Sequence, residues 1–484
     1  MGNARHARKV KQKRHKDIFK ALLSYALIAS AFGWGPLSGL GANMAFAEES
    51  KEKQVITETE VRPLPGGLDT VPMFNSNSPE VVRTAGVLLS MLPKVGKTYP
   101  DAHLDYPLKG KFRVFTHHIN NRGKGEDRVL YIGLLAFNPN DKPATIRILR
   151  AASYLSQPDA PFIKLPPHQV NDDGSIYAGP GDRITSDFLL DDRQTGWPDK
   201  VTVPANGYAI VYSLPVQVRA VVSQSNGRSS LLQLACNRNI HLAEVADFIK
   251  VEGSKKIEPP TLERYVEIAT THELSQERDK IPSVPGGKGP LIYGRVAGIQ
   301  TGCKWTGTAT DGEKNITRLT IPEPGKSLAF PVCSLERGTF GTGQVQSAIL
   351  AVRYPDTAYA AHGNYAVEYR LQFPLYNPSK DRVKVSFSFN TPIKTDQTKD
   401  NLTYFEPPAK NTFFRGTVFA QYLSDKGETV KSYTHLVETR GTKSEELFSI
   451  TMKPKGRRTI KFSLFYPPDA TPPQVITLSS KPVE

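Results

Sequence analysis

The chain has 484 residues, a length that predicts roughly two to four domains of about 150 residues each. It contains 62 Lys plus Arg against 47 Asp plus Glu, a formal net charge of +15, but eight cations and one acid fall within residues 1–47, so the remainder carries only +8. A hydrophobic content of 39%, with 38 Pro and 37 Gly scattered between strand-like runs, excludes disordered, collagen-like and low-complexity chains.

The first predicted element is an export signal. A basic segment over 2–20 precedes an apolar stretch over 21–32 and a segment that ends in Ala-Phe-Ala at 45–47. Small residues at these positions suit signal peptidase, so we predict a cleaved signal peptide over 1–47 and a flexible leader over 48–60. An uncleaved anchor is the alternative, but the apolar stretch is short of the ~20 residues that a membrane span needs. The general secretory route and a periplasmic or extracellular location follow, with no membrane span after cleavage.

Strand-like runs bounded by Pro, Gly, Asn and Asp recur along the rest of the chain. Their spacing is typical of β-sandwich proteins, so we predict an all-β fold. The predicted strands cover residues 128–137, 145–149, 200–203, 208–218, 231–236, 291–299, 318–321, 365–376, 383–389, 414–422, 432–437, 447–452, 459–466 and 475–478.

One amphipathic helix is predicted over 261–270, where Thr261 can cap the first turn and the apolar residues share a face. The helix lies in a stretch, 251–290, whose density of Pro and Gly indicates an exposed linker. We therefore predict two β-sandwich-like domains, over 61–250 and 291–484, joined by this linker and its short helix.

The two predicted domains share a sequence pattern. Residues 130–149 (LYIGLLAFNPNDKPATIRIL) and 369–389 (YRLQFPLYNPSKDRVKVSFSF) each contain a strand, an aromatic-Asn-Pro turn and a second strand. The proline presets φ for a turn, and the preceding Asn138 or Asn377 can hydrogen-bond its own backbone. An internal duplication explains the pattern; the alternative is that unrelated antiparallel sandwiches share such turns.

Three cysteines, Cys236, Cys303 and Cys333, remain to be placed. An oxidising compartment permits a Cys303–Cys333 disulfide, whose closed loop of about 30 residues would stabilise the fold by ~3 kcal/mol in the chain-entropy estimate. The alternative is that all three are small buried side chains in strands. Without Cys-x-x-Cys pairs or Cys/His clusters, we predict no metal and no other cofactor.

No arrangement of side chains identifies a catalytic site. The histidines at 103, 117 and 118 are the only cluster, and adjacent histidines on a strand point to opposite faces, so they favour a structural role over a metal site. Acids that could serve a glycosidase occur as adjacent pairs in polar loops, where such pairs are usually solvated. These pairs are Asp172-Asp173 and Asp191-Asp192.

Two further patterns concern ligands. The glycine-rich segment 338–343 lacks the Lys-Ser/Thr ending of a phosphate-binding loop, which argues against nucleotide binding. The densest basic group, 453–458 (KPKGRR), could attract an anionic polysaccharide or a lipid head group, or it could be a solvated hairpin turn. The predicted compartment and the lack of an RNA-binding aromatic motif argue against nucleic acid.

Aromatic residues beside turns are the second binding signal. Tyr354, Tyr359, Tyr365 and Trp197 lie next to turns, and such rings can stack on the apolar C–H face of a sugar. The alternative is that they pack under loops as part of the core. These four are the ligand-binding residues that we predict.

Four idiosyncratic segments resemble a known family. They are 151–162 (AASYLSQPDAPF), 292–297 (IYGRVA), 344–359 (QVQSAILAVRYPDTAY) and 413–418 (FFRGTV). They are similar to an uncharacterised family of exported cyanobacterial proteins, described only as a domain of unknown function, and the resemblance extends from about residue 61 to 478. It implies a secreted or periplasmic protein of a Gram-negative photosynthetic cell, and it implies no catalytic residue, ligand or mechanism.

Three functions fit these observations. The first is a non-enzymatic structural or binding protein of the cell envelope, with an anionic or neutral cell-surface polysaccharide or an envelope protein as partner. The second is a polysaccharide-active hydrolase or lyase, which would need a cleft with two close carboxylates. The third is an assembly or chaperone-like partner, which would need a long, unblocked sheet edge. Fold class does not choose among them.

Overall fold

Alternation of apolar and polar residues favours β-strands, which make up about half of the residues that the structure describes. The computed structural model describes residues 53–121, 128–218, 224–251, 257–313 and 315–483. Within these ranges strands far outnumber helices, so the predicted all-β class is confirmed. The predicted signal peptide lies outside the described residues.

The strands are numbered in chain order. The first fourteen are β1 (Lys53–Glu58), β2 (Glu60–Val61), β3 (Gly67–Leu68), β4 (Pro72–Ser76), β5 (Val81–Val82), β6 (Gly86–Ser90), β7 (Leu108–Asn121), β8 (Arg128–Asn138), β9 (Ala144–Leu155), β10 (His168–Val170), β11 (Lys200–Val203), β12 (Gly207–Val216), β13 (Ser225–Lys250) and β14 (Ala297–Thr301). The others are β15 (Lys304–Thr308), β16 (Leu319–Thr320), β17 (Ser327–Val332), β18 (Ala348–Arg353), β19 (Ala360–Ala361), β20 (Glu368–Tyr376), β21 (Val383–Asn390), β22 (Asn401–Glu406), β23 (Thr412–Leu423), β24 (Thr429–Thr439), β25 (Phe448–Met452), β26 (Arg457–Phe465) and β27 (Gln474–Pro482).

The described helices are two α-helices, α1 (Pro180–Leu189) and α2 (Leu262–Thr271), and a short 3-10 helix (Pro100–Ala102). None of the helices within the described ranges has the length and apolar character to span a membrane.

Two sheets share an apolar core and form a sandwich. Sheet I has the strand order β10-β24-β23-β26-β20-β15-β3, with β16 beside β20, and sheet II has the order β2-β17-β27-β21-β25. In β26, Ile460, Phe462 and Leu464 are buried and the residues between them are not. The Phe462 ring lies 5.6 Å from the ring of Phe387 in sheet II. Burying each side chain of this kind stabilises the fold by about 1.5–3 kcal/mol.

A third sheet of twelve strands, sheet III, forms around the 26-residue strand β13. Residues 225–236 of β13 pair with β7 and β9, and residues 241–250 pair with β8. The register shifts between Cys236 and Ile240, and an irregularity of this kind bends a strand. Because of this bend, Leu234 and Leu242, which lie in the two halves of β13, pack in the same hydrophobic core, which is separate from the sandwich core.

Helix α2 confirms the helix predicted over 261–270. The Thr261 hydroxyl accepts a hydrogen bond from the Arg264 amide and caps the first turn. Tyr265 and Ile268 are fully buried against apolar side chains of β6, β8 and β13. A Cβ atom at position 133 of β8 would lie 2.5 Å from the Tyr265 ring, so Gly133 allows this close packing.

Helix α1 lies between the sandwich and sheet III. The apolar periodicity does not predict it, although Pro180 at its first position and Asp182 in its first turn are helix-start signals. Its Phe188 packs in one cluster with Phe115 of β7 and Phe465 of β26. The helix therefore ties sheet III to sheet I.

A buried ion pair joins the same two sheets. Arg113 Nη2 of β7 lies 2.7 Å from Glu368 Oε2 of β20, and both side chains are about 5% exposed or less. Arg113 Nη1 also donates to the Cys303 carbonyl at 2.8 Å. Burial opposes ionisation of Glu368, but the attraction of Arg113 and other nearby cations lowers the pKa of Glu368 below its ordinary value. Glu368 is therefore a compensated carboxylate.

The division into domains over 61–250 and 291–484 stays a prediction, and strand pairing crosses it. In sheet III, β4 pairs with β14, with Phe74 opposite Ile299. In sheet I, β10 pairs with β24, and β3 pairs with β15. Leu64 belongs to the sandwich core and Tyr354 to the core of sheet III. Each core thus takes residues from both halves of the chain.

The expectation of a flexible leader over 48–60 is corrected for its described part. Strand β1 pairs along its whole length with β22, from Lys53 opposite Glu406 to Glu58 opposite Asn401, and β2 pairs with β17. The ladder hydrogen bonds come from the backbone, so a strand with one half-buried face can form where the side chains show little apolar periodicity.

The two Asn-Pro turns have the same hydrogen bonds. In each, the Asn amide donates to the carbonyl four residues on and to two consecutive carbonyls of a later hairpin, and its Oδ1 accepts from the amide two residues on. The carbonyls belong to Lys142, Val203 and Pro204 for Asn138, and to Asp381, Met452 and Lys453 for Asn377. The amides belong to Asn140 and Ser379. This agreement favours internal duplication over coincidentally similar turns.

Replacing either Asn138 or Asn377 by Ala should lower the free energy of unfolding by about 1–3 kcal/mol, because three carbonyls lose a buried donor. Asn411→Ala, in an exposed bend, is the matched control. Urea unfolding followed by tryptophan fluorescence measures the difference. If both variants unfold like the control, the shared hydrogen bonds do not stabilise the turns.

Candidate functional site

Tyr354 is the most deeply buried of the four predicted aromatic residues. It is 1% exposed and belongs to the core of sheet III. Its hydroxyl accepts from the Ser90 amide at 2.9 Å and donates to the Ala102 carbonyl at 2.8 Å. Burial raises the pKa of Tyr354. The ring leaves no face on which a ligand could stack.

The other three predicted aromatic residues also have protein partners. The Arg353 guanidinium lies 3.7 Å from the centre of the Tyr359 ring. Tyr365 stacks on Tyr466 at 6.5 Å, and Trp197 meets the Tyr212 ring edge-on at 6.2 Å. Tyr365 packs against the sandwich core, whereas Trp197 packs against the core of sheet III. The structure therefore does not bring the four residues together as one platform, and the packing alternative describes them better.

The three cysteines are free and buried. Cys303 packs in the cluster around α1, and Cys333 packs in the sandwich core. Burial raises the pKa of the Cys303 thiol to about 12, so it is protonated at neutral pH. The permitted Cys303–Cys333 disulfide is not formed in this structure, which agrees with the alternative of small apolar core side chains.

The histidine cluster consists of side chains with separate structural partners. His118 Nε2 lies 3.1 Å from Glu244 Oε2, and His103 Nδ1 lies 2.7 Å from the Ser90 hydroxyl. Burial lowers the pKa of His103 to about 4 and that of His117 to about 3. In the part of the chain that the structure describes, no group of three or more His, Cys, Asp or Glu side chains could hold a metal ion.

The acid pairs in the polar loops are occupied by local contacts. Asp172 Oδ1 accepts from the Tyr433 amide at 3.0 Å, and Asp173 Oδ1 accepts from the Ser175 hydroxyl at 2.7 Å. Asp191 pairs with Arg150. Asp192 Oδ1 accepts from the Arg193 amide. These carboxylates hold loops in place.

A charged cluster around Glu80 is the strongest candidate for acid–base chemistry. Arg295 pairs with Glu80 and lies 3.7 Å from Asp279 Oδ1. Asp279 also accepts from the Ser78 hydroxyl at 2.7 Å. Burial raises the pKa of Glu80, and the Arg295 charge opposes that rise. Because one guanidinium contacts both carboxylates, the cluster anchors the segment around Asp279 to the turn before β5.

Three other carboxyl groups of the described chain have raised pKa values, namely Asp187, Glu438 and Asp469. Burial raises the pKa of Asp187, which accepts from the Tyr154 hydroxyl at 2.7 Å. Burial raises the pKa of Glu438 to about 8, although the hydroxyls of Ser444 and Thr391 hydrogen-bond to it. Burial and the charge of Asp182 raise the pKa of Asp469 to about 7. None of the three residues lines either of the two cavities described below. A raised pKa is a candidate catalytic property only where substrate can reach the group.

One side of sheet I faces away from the sandwich core. Helix α1 and sheet III cover part of it, including Thr417, Phe465 and Glu368, and the remainder is open to solvent; we call this open part the outer face. Strand register aligns its residues in rows across five strands. One row contains Thr306, Arg370, Ser463, Phe419 and Tyr433, and the next contains Thr308, Gln372, Lys461, Gln421 and Lys431. At about 4.8 Å between strands, each row spans roughly 19 Å.

The outer face combines an aromatic pair with polar donors. The rings of Phe419 and Tyr433, both half-buried, lie 4.8 Å apart. Beside them, Gln372, Lys461 and Lys431 are exposed, and Gln421 is half-buried. Neither row contains an acidic residue. The spacing of Phe419 to Gln421 and of Lys431 to Tyr433 already places each pair on one side of its strand, but it does not reveal that the strands are adjacent.

The basic segment 453–458 contributes to a cavity at one end of the outer face. This cavity, which we call the hairpin cavity, has a volume of about 300 Å³ and lies between the β23–β24 turn and the β25–β26 turn. Its lining includes four cations, Lys426, Lys453, Arg457 and Arg458, and one carboxylate, Asp425. A second cavity of about 370 Å³ contains two internal ion pairs, Lys326–Glu58 and Arg62–Glu60.

Comparison with known proteins adds a family and no activity. The family described as "Protein of unknown function (DUF3370)" matches residues 59–480. No curated protein matches the chain. Among solved structures, the Macrobrachium rosenbergii nodavirus aligns over 94% of this chain and 97% of its own, with 10% identity and a TM-score of 0.11. So low a TM-score carries no argument about fold or function.

Glu438→Gln should flatten the pH dependence of stability. The folded chain holds the Glu438 proton up to a pKa of about 8, whereas the ordinary value is 4.5, so stability should fall as pH rises between these values. The glutamine variant lacks this term and should gain stability relative to the natural chain as pH rises from about 5 to 8. Urea unfolding at several pH values measures this gain. Glu446→Gln is the control, because the pKa of Glu446 is lowered and its carboxyl group therefore stays ionised from about pH 5 to 8. Parallel curves for the natural chain and Glu438→Gln would contradict the assignment.

Proposed function

The chain belongs to the DUF3370 family, whose function is unknown, and we propose that it is a non-enzymatic binding protein of the cell envelope that binds polysaccharide on its outer face. We propose further that it is exported to the periplasm or the exterior, in a cyanobacterial cell. The export rests on the basic, apolar and Ala-Phe-Ala pattern of residues 1–47, and the setting rests on the four sequence segments that resemble exported cyanobacterial proteins.

The observation that carries the proposal is the composition and shape of the outer face. A sheet surface roughly 19 Å wide suits an extended chain of sugar rings more than a compact small molecule. The apolar C–H face of a sugar fits against the half-buried rings of Phe419 and Tyr433. The amides of Gln372 and Gln421 both donate and accept hydrogen bonds, as hydroxyl groups require, and Lys461 donates.

The acid content of the outer face separates binding from hydrolysis. A glycosidase uses two carboxyl groups about 5–10 Å apart. The two rows of the outer face contain none, and Arg458 pairs with Asp425, the one carboxylate of the hairpin cavity. Bound sugar on the two rows would therefore meet donors and rings. The neighbouring carboxylates are already engaged, because Asp172 accepts from the Tyr433 amide and the buried Glu368 pairs with Arg113 and Arg370.

Most of the described sheet edges argue against a strand-accepting partner. The edge strands β10, β11 and β25 have three, four and five residues, whereas β1, in its two-stranded sheet with β22, has one unpaired edge of six residues that begins and ends with a charged side chain. The longer strand β12, which pairs only with β8, contains Pro215 and a register shift between Ile210 and Tyr212. Short length, proline and bulges all block the addition of another strand.

Replacing the aromatic pair tests the proposal. Phe419→Ala combined with Tyr433→Ser should weaken binding to any glycan selected on a glycan array by about 10-fold or more. The reason is that stacking of an aromatic ring on the C–H face of a sugar contributes on the order of 1 kcal/mol for each ring. Binding isotherms on the purified protein measure the change. Circular dichroism and urea unfolding establish that the double variant remains folded.

The residues that the sequence alone favoured provide the control. Trp197→Phe and Tyr359→Ser alter rings that have protein partners away from the two rows of the outer face, so they should leave glycan affinity unchanged. Glycan binding that is lost in these variants and retained in the Phe419/Tyr433 double variant would move the site off the outer face. No binding to any glycan would refute the proposed function.

A further inference from the structure

The hairpin cavity has the charge of an anion-binding site. Three of its cations, Lys426, Lys453 and Arg457, are exposed, and the fourth, Arg458, donates to Asp425 Oδ1 at 2.7 Å and to the Leu423 carbonyl at 3.1 Å. The lining thus carries four positive charges and one negative charge. Arg458 and Asp425 satisfy each other, which leaves three cations directed at solvent within one small concavity.

The two turns that form the cavity are held in place from beneath. Asp425 Oδ1 accepts from the Thr451 amide at 2.9 Å, which fixes the β23–β24 turn against β25. Its hydrogen bonds to Thr451 and Arg458 outweigh partial burial and lower the pKa of the Asp425 carboxyl. Lys453 also accepts, through its carbonyl, the side-chain amide of Asn377. The side chains of the cations therefore extend from a backbone that these hydrogen bonds hold in place.

The cavity is continuous with the outer face. Arg457 lines the cavity and also lies opposite Tyr376 in the β20–β26 ladder, with its guanidinium 5.5 Å from the centre of the Tyr376 ring. From Arg457 to Ser463 the strand β26 extends about 20 Å along the face. Leu423 of the cavity lies two residues, about 7 Å, beyond Gln421 of the second row in β23, so a polymer on that row would reach the cavity with a branch or a bend.

We propose that the hairpin cavity binds the oxyanion of an acidic polysaccharide, a carboxylate, sulfate or phosphate group, while the neutral part of the polymer lies on the outer face. This inference rests on the proposed function and names its substrate class. Arginine and lysine form charge-assisted hydrogen bonds to such oxyanions. A lipid surface fits less well, because Leu423 is the one exposed large apolar side chain of the lining and membrane binding needs a buried apolar area.

The test compares two sets of charge removals in the full chain. Lys426→Gln, Lys453→Gln and Arg457→Gln empty the cavity of its free cations and keep Arg458, which holds the turn. The control removes the same charge from exposed residues of the first half, with Lys94→Gln, Lys109→Gln and Lys111→Gln. The probes are polygalacturonate, dextran sulfate, neutral dextran and vesicles containing phosphatidylglycerol.

We expect the cavity variant to bind at least one of the two acidic polymers about 10-fold or more weakly at moderate salt, and the control variant to bind it nearly as the natural chain does. Equal weakening by both variants would show a diffuse charge effect and overturn the inference. Vesicle binding that depends on the cavity, without binding of either acidic polymer, would overturn it in favour of a lipid.

The same measurements distinguish failure of the inference from failure of the proposed function. Suppose that the natural chain binds glycans, that the Phe419/Tyr433 double variant loses this binding and that the cavity variant keeps it. The inference is then wrong and the proposed function stands. If the binding of acidic polymers is weakened in the cavity variant and unchanged in the double variant, the cavity binds these polymers without the outer face, and the outer-face proposal is wrong. If no polymer binds, both are wrong.

Discussion

Alternation along the strands of sheet I determines both the stability of the sandwich and the chemistry of its surface. In β26, Ile460, Phe462 and Leu464 face the shared core, so Lys461 and Ser463 must face the opposite side. Strands β20, β26, β23 and β24 pair antiparallel, whereas β15 and β16 pair with β20 in parallel. A largely antiparallel sheet of this kind can bury one face and leave the other to solvent. A shift of one residue in this register would bury a lysine and expose three apolar side chains, which makes the register strongly specified. The rows of the outer face are the direct consequence.

The rest of the molecule holds that sheet in place. Sheet III meets it through α1 and through the Arg113–Glu368 pair, whose two charges are removed from water and compensate each other. The Ser186 hydroxyl of α1 lies 2.8 Å from the Thr417 hydroxyl of β23, two residues before Phe419. Helix α1 therefore closes one end of the outer face, and the two basic hairpin turns form the other end. The face has defined limits without a deep cleft.

Local chemistry predicted much of the fold. The Asn-Pro turns at Asn138 and Asn377, the helix capped by Thr261 and the alternation of β20 and β26 can all be read from neighbouring residues, and the structure contains each of them. Strand β1 could not be read in this way, because its partner β22 lies more than 300 residues away and supplies backbone hydrogen bonds that leave no sequence pattern.

The site was harder to predict because it also depends on contacts between residues that are distant in the sequence. Tyr354 and Trp197 beside turns have the sequence signature of exposed rings, yet neighbouring elements cover them, and burial by distant elements is not encoded locally. Phe419 and Tyr433 are ordinary strand residues until the register places them opposite each other. The basic segment 453–458 was visible as charge, but only the adjacent turn with Lys426 and Asp425 makes it a cavity.

Covalent labelling of lysines with and without a bound glycan tests the central claim most directly. Acetylation quantified by mass spectrometry reports on each lysine separately, and the exposed lysines are spread over both halves of the chain. The account predicts that a saturating acidic polysaccharide protects Lys431 and Lys461 of the outer face together with Lys426 and Lys453 of the hairpin cavity, and leaves Lys109 and Lys111 unprotected. Protection of Lys109 and Lys111 with no change at Lys431 and Lys461 would contradict it.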